Sequence, residues 1–162
     1  MSVTISIELQ LAIQNLNARY AQAIDDDRLE DWPNFFIGEG RYRVTTADNF
    51  DRGLPLNLIY ATSQAMLRDR VLSLRKANIY EAQRYRHVVG LPLVERAADG
   101  NLTAQTSFVV VRIMHTGESL LFASGVYRDR IVLDGAGKAP KFAERIVVLD
   151  SRQIDTLLAI PL

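Results

Sequence analysis

Residues 102–115 read LTAQTSFVVVRIMH, and they decide how the rest of the chain is arranged. Asp99-Gly100 precedes the stretch and Thr116-Gly117 follows it, so a tight-turn signal at each end lets both sequence neighbours fold back on it as hairpins. It is expected to be the middle strand of an antiparallel meander. The first half alternates, with Thr103, Gln105 and Ser107 on one side and Leu102, Ala104 and Phe108 mostly on the other, as in a sheet with one wet face. The second half does not. Val109, Val110, Val111, Ile113 and Met114 put apolar groups on both faces, and Leu120, Leu121, Phe122 and Ala123 do the same across the turn.

A strand end that is apolar on both sides needs two covers, and this chain has helices enough for one. Burial of apolar surface contributes roughly 25 cal/mol per Å², so a second face left in water would forfeit several kcal/mol and invite aggregation. The expected second cover is another protein chain. Val109, Val111 and Ile113 are expected on one face with Leu120 and Phe122, and Val110 and Met114 on the helix side with Leu121. The arginines Arg84, Arg86, Arg112, Arg128 and Arg145 read as a polar rim around that patch.

Upstream of the meander, Ile5, Leu9, Ile13, Leu16, Tyr20 and Ile24 recur at steps of three or four and predict an amphipathic helix capped by Thr4 or Ser6. Asp27-Arg28-Leu29-Glu30 has capping-box spacing for a short second helix through Trp32, Phe35 and Phe36. Arg41 to Thr46 alternates as a strand, the polar run from Thr46 to Arg52 opens a loop, and Leu56 to Ala61 reads as a short edge strand. Thr62 or Ser63 caps a third helix with Leu67, Val71 and Leu74 inward. From Gln83 the period is two, giving strands at Arg84 to Glu95, Leu102 to His115, Leu120 to Leu133 and Phe142 to Asp150. Helices first and a long meander after define an α+β class: one domain over 1–162, a strongly curved antiparallel sheet folded as a cone around about three helices from the N-terminal half.

Composition narrows the function. Lys plus Arg and Asp plus Glu balance at 19 each, which gives no basic excess for nucleic acid or an anionic membrane. No stretch approaches the ~18 apolar residues of a membrane span, and the expected location is the cytoplasm. The chain has no cysteine, which removes thiolate nucleophiles and cysteine-ligated zinc or iron-sulfur sites. Its only histidines are His87 and His115. If Asp99-Gly100 is a two-residue turn, His87 lies opposite Arg112 and Leu91 opposite Phe108, while His115 falls on the other face. A two-histidine, one-carboxylate iron site would need both rings together. A catalytic reading makes His87 a general base inside the cone with Asp25 orienting it and Tyr20 nearby; the plainer reading is a hydrogen-bonded histidine in a polar cluster.

The ordered set Asp31-Trp32-Pro33, Phe35-Phe36, Tyr42-Arg43-Val44, Asp69-Arg70-Val71, Arg84-Tyr85-Arg86-His87, Gly125, Tyr127-Arg128-Asp129 and Glu144-Arg145 resembles the small (beta) subunit of aromatic ring-hydroxylating dioxygenases, over nearly the whole chain. Within that family the chain is similar to members working on aromatic acids, through 76–81, 112–118 and the tail 155–162 as well. The resemblance implies a cone fold shared with nuclear transport factor 2 and ketosteroid isomerase. It implies no independent catalysis and no cofactor on this chain: the Rieske iron-sulfur cluster and the mononuclear iron belong to the large (alpha) subunit, and a homotrimer of small subunits supports three large ones. The interface candidates are Val109, Val111, Ile113, Leu120, Phe122, Arg84, Arg86 and Arg128. The competing class is a freestanding isomerase or dehydratase. The position matching the ketosteroid-isomerase base falls at about Val44, which is no carboxylate, so that reading leans on His87, Asp25 and Tyr20. A small-molecule carrier is the third class.

Overall fold

The computed structural model describes residues 4–77, 81–135, 139–153 and 158–162. Parts of the stretches at 76–81 and 155–162, and of the glycine-rich loop at 134–140, therefore lie outside the described residues. Helix α1 (Ile7–Asp25) is capped by the Ser6 hydroxyl, which accepts from the Leu9 N–H at 3.2 Å. Its stripe of Ile13, Leu16, Tyr20 and Ile24 is buried. A 3-10 helix (Leu29–Phe35) follows and buries Trp32, but Asp27 does not cap it. Asp27 takes φ 58 at the turn, and its carboxylate is held instead by Arg75 at 3.0 Å.

Strand β1 (Phe36–Thr46) leads into a short helix α2 (Ala47–Asp51) where a loop was expected; the Thr46 hydroxyl caps it by accepting from the Asn49 N–H, and Asp48 suits its first turn. Strand β2 (Ile59–Ala61) is the predicted edge strand, and α3 (Gln64–Lys76), capped by Ser63, buries Leu67, Val71 and Leu74. The remaining strands are β3 (Gln83–Val89), β4 (Leu93–Arg96), β5 (Leu102–Met114), β6 (Ser119–Asp134) and β7 (Ala139–Leu149).

The seven strands form one sheet in the order β2-β1-β7-β6-β5-β3, with β4 also on β5. The meander is antiparallel as expected, but the sheet is mixed, because β1 pairs parallel to β7. Tight hairpins fix direction only between consecutive strands, and β1 reaches its partner after half the chain has intervened. Helix α1 packs on β3 and β7, and α3 on β1, all on the inner face. Three irregularities, between Phe36 and Arg41 in β1, at Phe122 in β6 and at Ala143 in β7, sharpen the curl. At Gly125 a Cβ would stand 2.0 Å from the Val148 carbonyl oxygen, so only glycine lets β6 approach β7 there.

The register differs from the two-residue turn. Ala97 donates to the Asn101 carbonyl at 2.8 Å and Gly100 takes φ 85, closing a three-residue loop. A further step at Gly90, Leu91 and Pro92 splits the predicted strand into β3 and β4. His87 therefore faces Val110, and Tyr85 faces Arg112. The slip is even, so His87 stays on the inner face where alternation put it.

Arg75 fastens α3 to the turn after α1, donating to both Glu30 oxygens at 2.7 and 3.0 Å and to the Asp27 carbonyl at 2.7 Å. Its hydrogen bonds hold the Glu30 carboxyl down at about 2, from 4.5. A carboxyl depressed on folding stabilises the fold above its unfolded value, and that contribution is lost as pH falls from 4.5 through about 2. Glu30 is largely exposed, so the contribution is small. An NMR titration should find the Glu30 midpoint near 2 in the wild type and back near 4.5 in Arg75→Ala; a midpoint that ignores the substitution would contradict the clamp.

Candidate functional site

The inside of the cone is filled by the chain's own side chains. Arg145, on β7, is fully buried, and its guanidinium carbon lies 4.3, 3.9 and 4.0 Å from the ring centres of Tyr20, Tyr127 and Phe142. It donates to both oxygens of Asp129 on β6 at 2.8 and 2.7 Å and to the amide oxygen of Asn17 on α1. Asn17 in turn donates to the Thr106 hydroxyl on β5 at 3.3 Å. Burial alone would lower the Arg145 value, but the Asp129 carboxylate more than offsets it and keeps the guanidinium charged. Burial pushes the Asp129 carboxyl up against the opposing pull of Arg145. Arg145 and Arg112 are thus inner residues and do not belong to the outer rim predicted for them. Arg112 packs its guanidinium 4.5 Å from the Phe122 ring.

At the other end of α1, Asp25 accepts from the His87 main-chain N–H at 2.9 Å and pairs with its Nδ1 at 2.6 Å. Both side chains are buried. The predicted pairing of Asp25 with His87 is present, and in an open pocket it would orient the ring for proton transfer. Tyr20 does not join it: its hydroxyl donates to the Leu162 main-chain oxygen at 2.7 Å and accepts from Trp32 Nε1 at 3.2 Å. A groove of about 600 Å³ beside the pair is lined by Asp25, Asp26, Asp27, Arg84, Arg86 and Ile160, and the His87 ring does not line it. His115 lies beyond β5 and pairs with Glu81. Among the described residues no group of three or more His, Cys, Asp or Glu could hold a metal ion. A Rieske cluster requires two cysteines and two histidines, so the residues of this chain do not fit one.

On the outer face of the sheet, Val109, Val111 and Ile113 line up with Arg84, Arg86 and Val88 on β3. Leu121, opposite Val111, is 65% exposed and Val88 60%. Leu120 and Phe122 do not share this face. The bulge at Phe122 reverses the alternation, so Leu120 stands opposite Arg112 and Phe122 packs on Tyr85 with ring centres 5.3 Å apart, leaving Leu121 outward. Arg128 is outward too, 4.9 Å from the Phe50 ring, at the edge of an outer groove of about 400 Å³ between Leu93, Arg130 and Glu144. The sequence reading missed Asp129, Asn17 and Leu162 as inner residues.

The SnoaL-like domain family matches residues 6–138. The beta 2 subunit of the terminal oxygenase component of terephthalate 1,2-dioxygenase from Comamonas sp is 48% identical over 156 residues, covering 96% of this chain and 98% of that one. The anthranilate 1,2-dioxygenase small subunit of Burkholderia cepacia is 38% identical, covering 99% of each. The crystal structure of a beta subunit assigned to an aromatic-ring-hydroxylating dioxygenase of Novosphingobium aromaticivorans superposes with a TM-score of 0.85 at 37% identity, over 94% of this chain and 96% of that one. The chain belongs to the small (beta) subunits of aromatic ring-hydroxylating dioxygenases, built on the SnoaL-like, nuclear transport factor 2-like domain.

Because Asp25 satisfies two buried donors of His87, its loss should be felt first in stability. Asp25→Ala should cost about 2–4 kcal/mol in urea unfolding, and Asp25→Asn less, because its amide oxygen still accepts. An unchanged unfolding midpoint in Asp25→Ala would contradict the structural role of the pair.

Proposed function

We propose that this chain is the non-catalytic small subunit of a Rieske non-haem iron dioxygenase that dihydroxylates an aromatic acid in the cytoplasm. In this reading a trimer of small subunits supports three large subunits, which carry the Rieske cluster and the mononuclear iron and receive electrons that originate from NAD(P)H. Residues 1–162 act as one domain. Val109, Val111, Ile113, Arg84, Arg86 and Arg128 stay candidates for the subunit contacts, joined by Leu121, and Leu120 and Phe122 support the patch from beneath.

The observation that carries the reading is the outer face of β3, β5 and β6: an aliphatic surface with Val88 and Leu121 exposed, while α1 and α3 pack on the opposite face. A surface of that kind supports contact with another chain. The relatives named for terephthalate and anthranilate support an aromatic acid as the substrate of the complex. The Asp25–His87 pair favours a second reading, a freestanding dehydratase or isomerase, but the enclosed ring offers a substrate no direct approach.

Charge substitutions separate the two faces. Leu121→Asp should give a folded chain with native circular dichroism that runs smaller than the wild-type trimer in light scattering. Phe122→Asp should unfold the chain, since a charge set beside Tyr85 and the core costs several kcal/mol against a total of roughly 5–15. A wild type that is monomeric at micromolar concentration would contradict the proposal.

A further inference from the structure

A three-fold ring joins unlike surfaces, because each protomer presents one patch to the neighbour ahead and a different patch to the neighbour behind. The aliphatic patch around Leu121 is suited to one of these roles and not to both. Two copies of it set face to face would gather the Arg84 and Arg86 pairs of both chains in one contact, where like charges repel. Arg84 forms no ion pair with a described residue. The carboxylate nearest Arg86 is Asp25, 3.9 Å away, and Asp25 is buried and already paired with His87. The partner of this patch is therefore a surface with an apolar floor and carboxylates free to meet arginine.

The other end of the same sheet face has those properties. Gln105 lies roughly 25 Å along β5 from Ile113, and there the 400 Å³ groove has Leu93 and Ile146 for its apolar lining and Glu95 and Glu144 beside them. Leu93 is 65% exposed. Neither glutamate forms an ion pair with a described residue, although Arg130 stands opposite Glu144 in the β6–β7 ladder. The groove's own arginines are drawn elsewhere. Arg128 lies against the Phe50 ring, and Arg130 is within electrostatic reach of Asp99 in the loop between β4 and β5. An apolar groove with unpaired carboxylates complements an apolar patch with arginines, and both belong to one chain. We infer that the groove between Leu93 and Ile146 receives the Leu121 patch of a second copy of this chain, with Arg84 set against Glu95, so that the contact repeats head to tail and closes as a ring. This inference rests on the subunit reading and adds to it the second of the two surfaces.

Charge reversal in the full chain tests the pairing. Arg84 and Glu95 are both exposed, so neither substitution disturbs the core. Arg84→Glu and Glu95→Arg should each raise the dissociation constant of the trimer at least tenfold in a light-scattering dilution series, and the two combined in one chain should bring it back to within about threefold of the wild type. The cysteine-free sequence allows a second measurement. A chain carrying Leu121→Cys together with Leu93→Cys should be joined into covalent dimers and trimers by a short bis-maleimide, and a chain carrying Leu121→Cys alone should not. A trimer whose mass ignores both reversals is the result expected if a large subunit fills the groove instead, and it would overturn the inference while leaving the subunit reading in place. So would a combined variant that stays dispersed, the absence of cross-links between positions 121 and 93, or cross-linking through position 121 alone. A monomeric wild type would overturn both.

Discussion

The buried ion pair between Asp129 and Arg145 is the constraint on which the rest of the cone depends. It joins β6 to β7, reaches α1 through Asn17 and β5 through Thr106, and carries three aromatic rings on the guanidinium. A buried pair of this kind adds little net stability over an apolar substitute, but losing one partner strands the other and costs about 3–5 kcal/mol. Its role is therefore one of geometry. The forked guanidinium accepts only one placement of Asp129, and that placement sets where α1 crosses the sheet.

With α1 fixed there, the inner face is committed. Tyr20, Trp32, Tyr42 and Leu162 close one end of the cone, and Asp25 ties the end of α1 to His87 on β3. The volume that could have been a pocket is occupied by packing and by hydrogen bonds among the chain's own side chains. What remains for a partner is the convex side of the sheet, where β5 and β6 present aliphatic residues edged by Arg84, Arg86 and Arg128.

Much of this was legible in the sequence. Steps of three and four located α1 and α3, and alternation located the strands and assigned Thr103, Gln105 and Ser107 outward. The register was not legible, because Asp99-Gly100 serves a three-residue loop as readily as a two-residue one and nothing local tells them apart. The bulge at Phe122 likewise leaves no mark in a run of four apolar residues, which is why Leu121 and Phe122 exchanged faces. Asp129 and Arg145 did leave a signal. Each falls in step with apolar neighbours two residues away, Tyr127 and Ile131 for one and Ala143 and Val147 for the other, so opposite charges on adjacent strands point into the core. The seat of Leu162 depends on contacts 120 and 142 residues apart in the chain, which no local pattern encodes.

The central claim is that the outer face of β5 and β6 is covered by another chain. The absence of native cysteine makes this directly measurable. A single cysteine at Leu121→Cys and a control at Leu72→Cys on α3, positions 65% and 51% exposed in the isolated chain, can be labelled in the assembled protein with a thiol reagent. The account predicts that Leu121→Cys reacts at least tenfold more slowly than Leu72→Cys, and that the difference vanishes when the assembly is diluted to monomers. Equal rates in the undiluted protein would contradict it.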